Sequence, residues 1–174
     1  MLWSTLLSPA ERLPALPLED WFAALQLRLG EVAPLQLAML GGRLAATPGL
    51  AFLAGYQGAL RALWPSAPAS LGALCVTENK STRPADMHTR LQDLQLQGRK
   101  DFVTAAEAAD WLLVAARDDA PGAPAHLSLC VVYSGAPGVR IEPLPSLPLM
   151  PDIGHARLHL EHATCELLAG DGWD

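Results

Sequence analysis

Apolar residues in the first 65 positions recur at helical spacing. From Glu19 to Leu29 they fall at every third or fourth position behind an acidic first turn, and Gly30 follows as a C-terminal stop. A second stretch with the same spacing begins at Pro34. These patterns predict two short amphipathic helices, each with one apolar face turned toward a core.

A third helix has the clearest start signal. Thr47 can cap its first turn and Pro48 stands at the first helical position, while the segment Pro65–Pro68 ends it. Gly55 and Gly58 lie inside this helix, and each weakens it by about 1 kcal/mol relative to alanine. We expect both glycines to be offset by close approach to another backbone.

In the second part of the chain the period changes to two. Residues 91–98 alternate, which predicts a half-buried strand or hairpin arm. Residues 111–117 and 126–133 are apolar runs of buried-strand length, and the turn-forming residues 118–124 between them predict a hairpin with a long loop. Residues 157–162 alternate again, which predicts a further strand.

Helices followed by short strands predict an α+β fold. We expect a short N-terminal helical segment followed by a small antiparallel β-barrel or sandwich. The proline pair that ends the third helix marks the boundary. The sequence therefore predicts a helical domain over residues 1–68 and a β-domain over residues 69–174.

Charge and composition narrow the function. The chain has 12 Lys and Arg residues against 18 Asp and Glu residues, a net charge of −6, which argues against a nucleic-acid partner. The uncharged stretch between Arg43 and Arg61 is short and interrupted by proline and glycine, so no membrane span and no signal peptide are predicted. The three cysteines form no CxxC pair, which favours a reduced, cytoplasmic protein.

Three histidines invite a metal interpretation. On a helix, His155, His159 and His162 would share a face and could bind zinc. The alternating Leu158 and Leu160 favour a strand instead, on which His155 and His159 point one way and His162 the other. We therefore predict no metal site and expect solvent-facing strand histidines.

Catalytic motifs are absent from the sequence. It contains no Gly-x-Ser-x-Gly elbow, phosphate-binding loop or Gly-x-Gly-x-x-Gly element. Cys75 and Cys130 stand in apolar runs, where a thiol is an inert small hydrophobe. The carboxylates of Asp118 and Asp119 fall in a Pro/Gly loop and are expected to be solvated. No catalytic residue is predicted.

Four segments, taken in order, carry a family resemblance. They are Thr77-Glu78-Asn79, then Gly98-Arg-Lys-Asp-Phe-Val-Thr104, then Ala109-Asp110 with the apolar strand ending at Arg117, and finally Leu158 to Gly172. Together they resemble the middle β-domain of the acyl-CoA dehydrogenase family over roughly residues 70–174. The helical first part is similar to the family's N-terminal helical domain, although it is shorter.

The resemblance implies an FAD site. In the family, the backbone matching Val76 and Thr77 faces the isoalloxazine ring, the aromatic residue matching Phe102 packs against it, and the hydroxyl matching Thr104 bonds near its N5. A flat apolar ring favours an aromatic neighbour, and a hydroxyl can tune the ring electronically. Here Phe102 replaces a tryptophan. The plainer alternative makes Phe102 a core residue and Thr104 an ordinary strand residue.

The loop that follows Glu78 departs from the family pattern. It reads Asn79-Lys-Ser-Thr-Arg-Pro-Ala-Asp86, where the family has a small Gly-Ser turn close to the flavin pyrophosphate. Lys80, Arg83 and the hydroxyls of Ser81 or Thr82 can still meet a phosphate. A bulky loop cannot approach as closely as glycine does.

Two functions follow from these patterns. In the first, the chain is the N-terminal and middle part of a flavin-dependent acyl-CoA dehydrogenase, as a fragment or split subunit. The family continues past the position of Asp174 into a helical bundle that carries the glutamate base, so an acyl thioester would react only after completion by a C-terminal helical domain or partner subunit. In the second, the chain is a non-catalytic ligand-binding or protein-interaction module. A homo-oligomer through the apolar third helix is compatible with both.

Overall fold

The computed structural model describes residues 8–118 and 126–168 of the chain. It divides into two compact units. The first comprises Met1–Leu71 together with Ser146–Ile153, and the second comprises Gly72–Pro145 together with Gly154–Asp174.

The first unit contains the three predicted helices, which are confirmed. They are α1 (Leu18–Leu29), α2 (Pro34–Leu44) and α3 (Pro48–Leu63). Helix α1 ends at Gly30, whose φ of 62° places it in the left-handed region. Helix α3 begins as expected, because the Thr47 side chain accepts a hydrogen bond from the Leu50 N–H at 3.1 Å. Among the described residues, no helix has the length and apolar character needed to cross a membrane.

Gly55 and Gly58 of α3 differ in their surroundings. A Cβ added to Gly58 would lie 2.6 Å from the carbonyl oxygen of Pro34, so this residue lets α3 approach the backbone of α2. A Cβ added to Gly55 would meet no described atom within 4 Å. The expected close approach is therefore confirmed for Gly58 and wrong for Gly55, which faces open space.

The second unit is a sheet. Its described strands are β1 (Gly72–Cys75), β2 (Arg90–Gln92), β3 (Gln95–Thr104), β4 (Trp111–Asp118), β5 (His126–Tyr133), β6 (Val139–Pro143), β7 (His155–Thr164) and β8 (Glu166–Leu167). Their order is β6-β7-β3-β2-β4-β5-β8, and β1 pairs with β4. The α+β fold class is confirmed, with a curled, mixed sheet: β4 runs parallel to β1 and β2, and the other pairings are antiparallel.

The hairpin predicted from the two apolar runs is confirmed. Strands β4 and β5 pair without interruption from Trp111 opposite Tyr133 to Asp118 opposite His126. Most of the predicted connecting loop, residues 119–124, lies outside the described residues. Residues 111–116 are buried on both faces of the sheet, which explains why this run is continuously apolar instead of alternating.

The alternating segment 91–98 is a hairpin corner. Strands β2 and β3 are joined by Asp93 and Leu94, whose φ values of 49° and 57° lie in the left-handed region that a two-residue hairpin turn requires. The segment is therefore the corner of a hairpin and not a single continuous strand. The turn contains no glycine, so the usual sequence signal is missing.

Exchanging Gly55 or Gly58 for alanine tests this packing. Gly55→Ala should raise the free energy of unfolding by about 0.5–1 kcal/mol, because alanine favours the helix and its methyl group meets nothing. Gly58→Ala should lower it by about 1–3 kcal/mol, because the methyl group forces α2 and α3 apart. Urea unfolding followed by circular dichroism measures both. Shifts of the same sign in the two variants would contradict this account.

Candidate functional site

A cleft of about 540 Å³ opens in the second unit beside β3. It is lined by Thr77, Asn79, Lys80, Asp101, Phe102 and Arg157. The lining combines one exposed aromatic ring with two cationic groups. The volume lies within the range typical of small-molecule and cofactor sites.

The segment that leaves β1 runs beside β3. The Asp101 N–H donates to the carbonyl oxygen of Thr77 at 2.9 Å, and the Lys100 ammonium group lies 3.5 Å from the carbonyl oxygen of Val76. Val76 and Thr77 are half-buried. Two segments separated by more than 20 residues of chain, and both singled out by the family resemblance, are thus adjacent.

A bulge in β3 turns Phe102 toward the cleft. Lys100 pairs with Leu158 of β7 and Val103 pairs with Ala156, so two residues of β3 oppose only Arg157. Lys100 and Val103 are fully buried, whereas Phe102 keeps 40% of its surface exposed. The extra residue lets a core strand present an aromatic ring at the surface.

His155 of β7 joins Phe102 and Thr104. The Phe102 and His155 rings stack with centroids 4.4 Å apart at 22°, and Thr104 Oγ1 lies 3.2 Å from His155 Nδ1. Phe102 and Thr104 therefore lie on the same side of β3, as residues two apart do in a strand. Thr77 and Phe102 line the cleft together, whereas Val76 and Thr104 stand next to its lining.

His155 corrects one expectation. It was expected to face solvent, but only 2% of its surface is exposed, because Phe102 and Thr104 cover it. His159 bonds to Glu142 at 2.7 Å, and His162 is exposed. In the described ranges, no group of three or more His, Cys, Asp or Glu side chains is arranged to hold a metal ion.

A buried ion pair lies behind the cleft. Lys100 Nζ is 2.5 Å from Glu78 Oε1, and both side chains are almost completely buried. The Glu78 carboxylate also accepts hydrogen bonds from the Thr89 hydroxyl at 2.6 Å and from the N–H groups of His88 and Thr89. Glu78 therefore ties the loop after β1 both to β3 and to the residues that lead into β2.

These contacts set the charge of Glu78. Burial alone would raise its pKa, but the hydrogen bonds from Lys100, Thr89 and His88 outweigh burial and hold the pKa below the ordinary value. Glu78 is therefore ionised in the folded protein at neutral pH. The pair carries one signal in the sequence, a lysine at an otherwise apolar strand position.

The loop after Glu78 begins with a tight turn. Glu78 and Ser81 exchange backbone hydrogen bonds of 2.8 and 2.9 Å, and Asn79 and Lys80 between them have φ values of 48° and 64°. The turn directs Lys80 to the cleft. The Ser81 hydroxyl donates to Asp86 at 2.7 Å within the loop, so it is engaged there and not directed at a ligand.

Asp101, a carboxylate in the cleft lining, is fully engaged. Arg99 lies 2.7 Å from its Oδ1 and Arg157 lies 3.5 Å from the same atom. The Asn79 N–H donates to Oδ2 at 2.6 Å. Both oxygens of this carboxylate are engaged by neighbouring groups of the protein, so Asp101 shapes the cleft.

Comparison with known proteins identifies the family. The model of the acyl-CoA dehydrogenase middle domain matches residues 73–163, more than half of the chain. The chain therefore belongs to the acyl-CoA dehydrogenase family. No curated protein gives a significant match.

Solved structures share the fold. Butyryl-CoA dehydrogenase from Megasphaera elsdenii superposes with a TM-score of 0.67 at 18% identity, over 89% of this chain and 49% of its own. An acyl-CoA dehydrogenase complexed with FAD from Bacillus anthracis gives 0.65 at 19% identity, over 88% and 32%. Glutaryl-CoA dehydrogenase from Mycobacterium smegmatis gives 0.62 at 22% identity, over 86% and 46%. The chain thus spans about half or less of these relatives.

Replacing Glu78 by glutamine tests the buried pair. Glu78→Gln should lower the free energy of unfolding at pH 7 by about 3–5 kcal/mol, because it leaves Lys100 buried without a counter-charge. Because folding lowers the pKa of Glu78, the ionised carboxylate stabilises the fold at pH values above its unfolded-state pKa. This stabilisation is lost as the pH falls through the folded-state pKa. The difference in the free energy of unfolding between wild type and Glu78→Gln should therefore shrink as the pH falls.

Urea unfolding between pH 7 and pH 3 measures this difference. Glu161→Gln is the matched control, because Glu161 is an exposed carboxylate on β7 and should change stability by less than about 0.5 kcal/mol. A Glu78→Gln effect as small as that of the control, or one independent of pH, would contradict the role assigned to the pair.

Proposed function

We propose that this chain supplies the flavin-facing wall of an acyl-CoA dehydrogenase-type oxidoreductase. The observation that carries the proposal is the cleft in which Thr77 and Phe102 meet, within a domain of the acyl-CoA dehydrogenase family. FAD is the proposed cofactor, and an acyl thioester is the proposed substrate. The helical residues 1–68 and the β-residues 69–174 are proposed to correspond to the N-terminal and middle domains.

The residues of the cleft fit the chemistry of FAD. Its isoalloxazine system is flat and aromatic, and the exposed face of Phe102 offers a ring for it to stack on. Its phosphates are anionic, and Lys80 reaches the cleft without an ion pair in the described part of the chain. When bound, the flavin would supply the hydride-accepting chemistry of the family.

Each of the proposed site residues has a distinct task. Phe102 stacks on the ring, and Thr104 provides a hydroxyl at the ring's edge. The backbone of Val76 and Thr77 forms the facing edge, held in place by the hydrogen bond from Asp101. These residues bind and orient the cofactor, and none of them transfers a proton.

Neither of the two carboxylates described at or behind the cleft is free to abstract a proton from a substrate. Asp101 is bound by Arg99 and Arg157, and Glu78 is buried in its pair with Lys100. Dehydrogenation of an acyl thioester needs a base that can reach the substrate. We propose that a C-terminal helical domain or a partner subunit provides this base.

A non-catalytic ligand-binding or protein-interaction module is the second candidate. Two observations favour it: the cleft carboxylate is engaged, and the turn of Asn79 and Lys80 carries side chains where the family has small residues. Such a module would keep the fold and the cleft without the reaction. Flavin binding by the chain separates the candidates, since only the first requires it.

Phe102→Ala tests the cofactor site. Aromatic stacking contributes about 0.5–1.5 kcal/mol beyond area, so the variant should bind FAD roughly two- to tenfold more weakly than wild type. Phe52→Ala is the matched control, because Phe52 is an equally exposed phenylalanine of α3 that stacks on Tyr56 instead. Quenching of flavin fluorescence measures both affinities. Equal affinities for the two variants would contradict the assignment of Phe102.

A second test concerns activity of the chain alone. With FAD and acyl-CoA supplied, the 174-residue protein should reduce an artificial electron acceptor no faster than free FAD does, because the described lining of the cleft offers no free base. The measurement is dye reduction under anaerobic conditions. Turnover above the free-flavin control would show that a base is present and would overturn this part of the proposal.

A further inference from the structure

His155 is a buried side chain that contacts both Phe102 and Thr104. It stands directly opposite Thr104 in the pairing of β3 with β7. Its ring lies under the Phe102 ring, and its Nδ1 is 3.2 Å from the Thr104 hydroxyl oxygen. Any displacement of His155 would therefore move both of the proposed flavin-contacting side chains.

The other ring nitrogen of His155 is isolated. Nε2 is buried and has no hydrogen-bond partner among the described residues. Burial also lowers the pKa of His155 below its ordinary value, so the ring is neutral at pH 7. A neutral imidazole carries one proton, which sits either on Nδ1 or on Nε2.

The isolation of Nε2 decides between the two tautomers. A proton on Nε2 would leave a buried N–H donor without an acceptor, which is rare and costly in folded proteins. A proton on Nδ1 instead satisfies that donor with the Thr104 oxygen and leaves only an unused lone pair on Nε2. The Nδ1–H tautomer is therefore favoured, and Thr104 accepts a hydrogen bond from His155.

We propose that His155 is a positioning residue that holds the Thr104 hydroxyl as a donor directed away from the histidine, toward a hydrogen-bond acceptor on the bound ligand. The proposal rests on the proposed function for the identity of that ligand. Oxidised flavin offers ring nitrogen and carbonyl acceptors along one edge. An acceptor at this point is matched by the Thr104 proton, which cannot point toward His155 while His155 donates to the same oxygen.

The first experiment needs no flavin. Nitrogen NMR of the full chain labelled with ¹⁵N-histidine distinguishes a protonated, pyrrole-type nitrogen from a bare, pyridine-type one. At pH 7 the expected spectrum of His155 shows Nδ1 as pyrrole-type and Nε2 as pyridine-type, with assignment by the loss of signals in His155→Phe. A proton on Nε2, or protons on both nitrogens, would overturn the proposal whatever the flavin does.

The second experiment tests whether His155 acts through Thr104. FAD affinity is measured for His155→Phe in the wild-type and Thr104→Val backgrounds. Phenylalanine keeps a ring beneath Phe102 but removes the nitrogen that holds Thr104. We expect roughly two- to tenfold weaker binding in the wild-type background and no further change in the Thr104→Val background, as for a single hydrogen bond.

Two further variants make the result interpretable. His155→Asn keeps an N–H group near the place of Nδ1 and should bind FAD more tightly than His155→Phe. His159→Phe, on the same strand but bonded to Glu142, should leave the affinity unchanged. Equal losses for His155→Phe in both backgrounds would overturn the positioning role. Absence of FAD binding by wild type would instead overturn the proposed function, while the NMR result would still decide the state of His155.

Discussion

The buried pair of Lys100 and Glu78 determines the geometry of the candidate site. Placing two charges in the core costs desolvation energy. The pair is stabilising only because all of its hydrogen-bond partners are in place, and its main effect is to favour one arrangement of the strands. Glu78 bonds to Lys100 of β3 and to Thr89 before β2, and so holds the segment after β1 against both strands. Gly98 permits this approach, because a Cβ there would lie 2.7 Å from Thr89.

The cleft follows from that arrangement. With Val76 and Thr77 held beside β3, the bulge at Asp101 and Phe102 brings an exposed ring next to the exit of β1. The side of β3 that faces the core carries Lys100 of the ion pair, and its outer side carries the Phe102 ring. A rigid wall of this kind suits a planar cofactor, which gains more from a preformed stacking surface than from one that must be ordered on binding.

Local signals in the sequence were sufficient for the three helices, for the hairpin of β4 and β5 and for β7, because caps, prolines and apolar spacing act over a few residues. The turn at Asp93 and Leu94 was missed, since neither residue is the glycine that such turns favour. The family resemblance brought Phe102 into the candidate site. The burial of His155 depends on the bulge and on strand register, which alternation along one strand cannot reveal.

The most direct test of the site is a map of backbone amide shifts as FAD is added to the ¹⁵N-labelled chain. If the cleft beside β3 is the flavin-facing wall, the largest changes should fall at Thr77, Lys80, Phe102 and Thr104. Changes concentrated instead on the β4–β5 hairpin, or an unchanged spectrum at these four residues while FAD binds, would contradict the central claim.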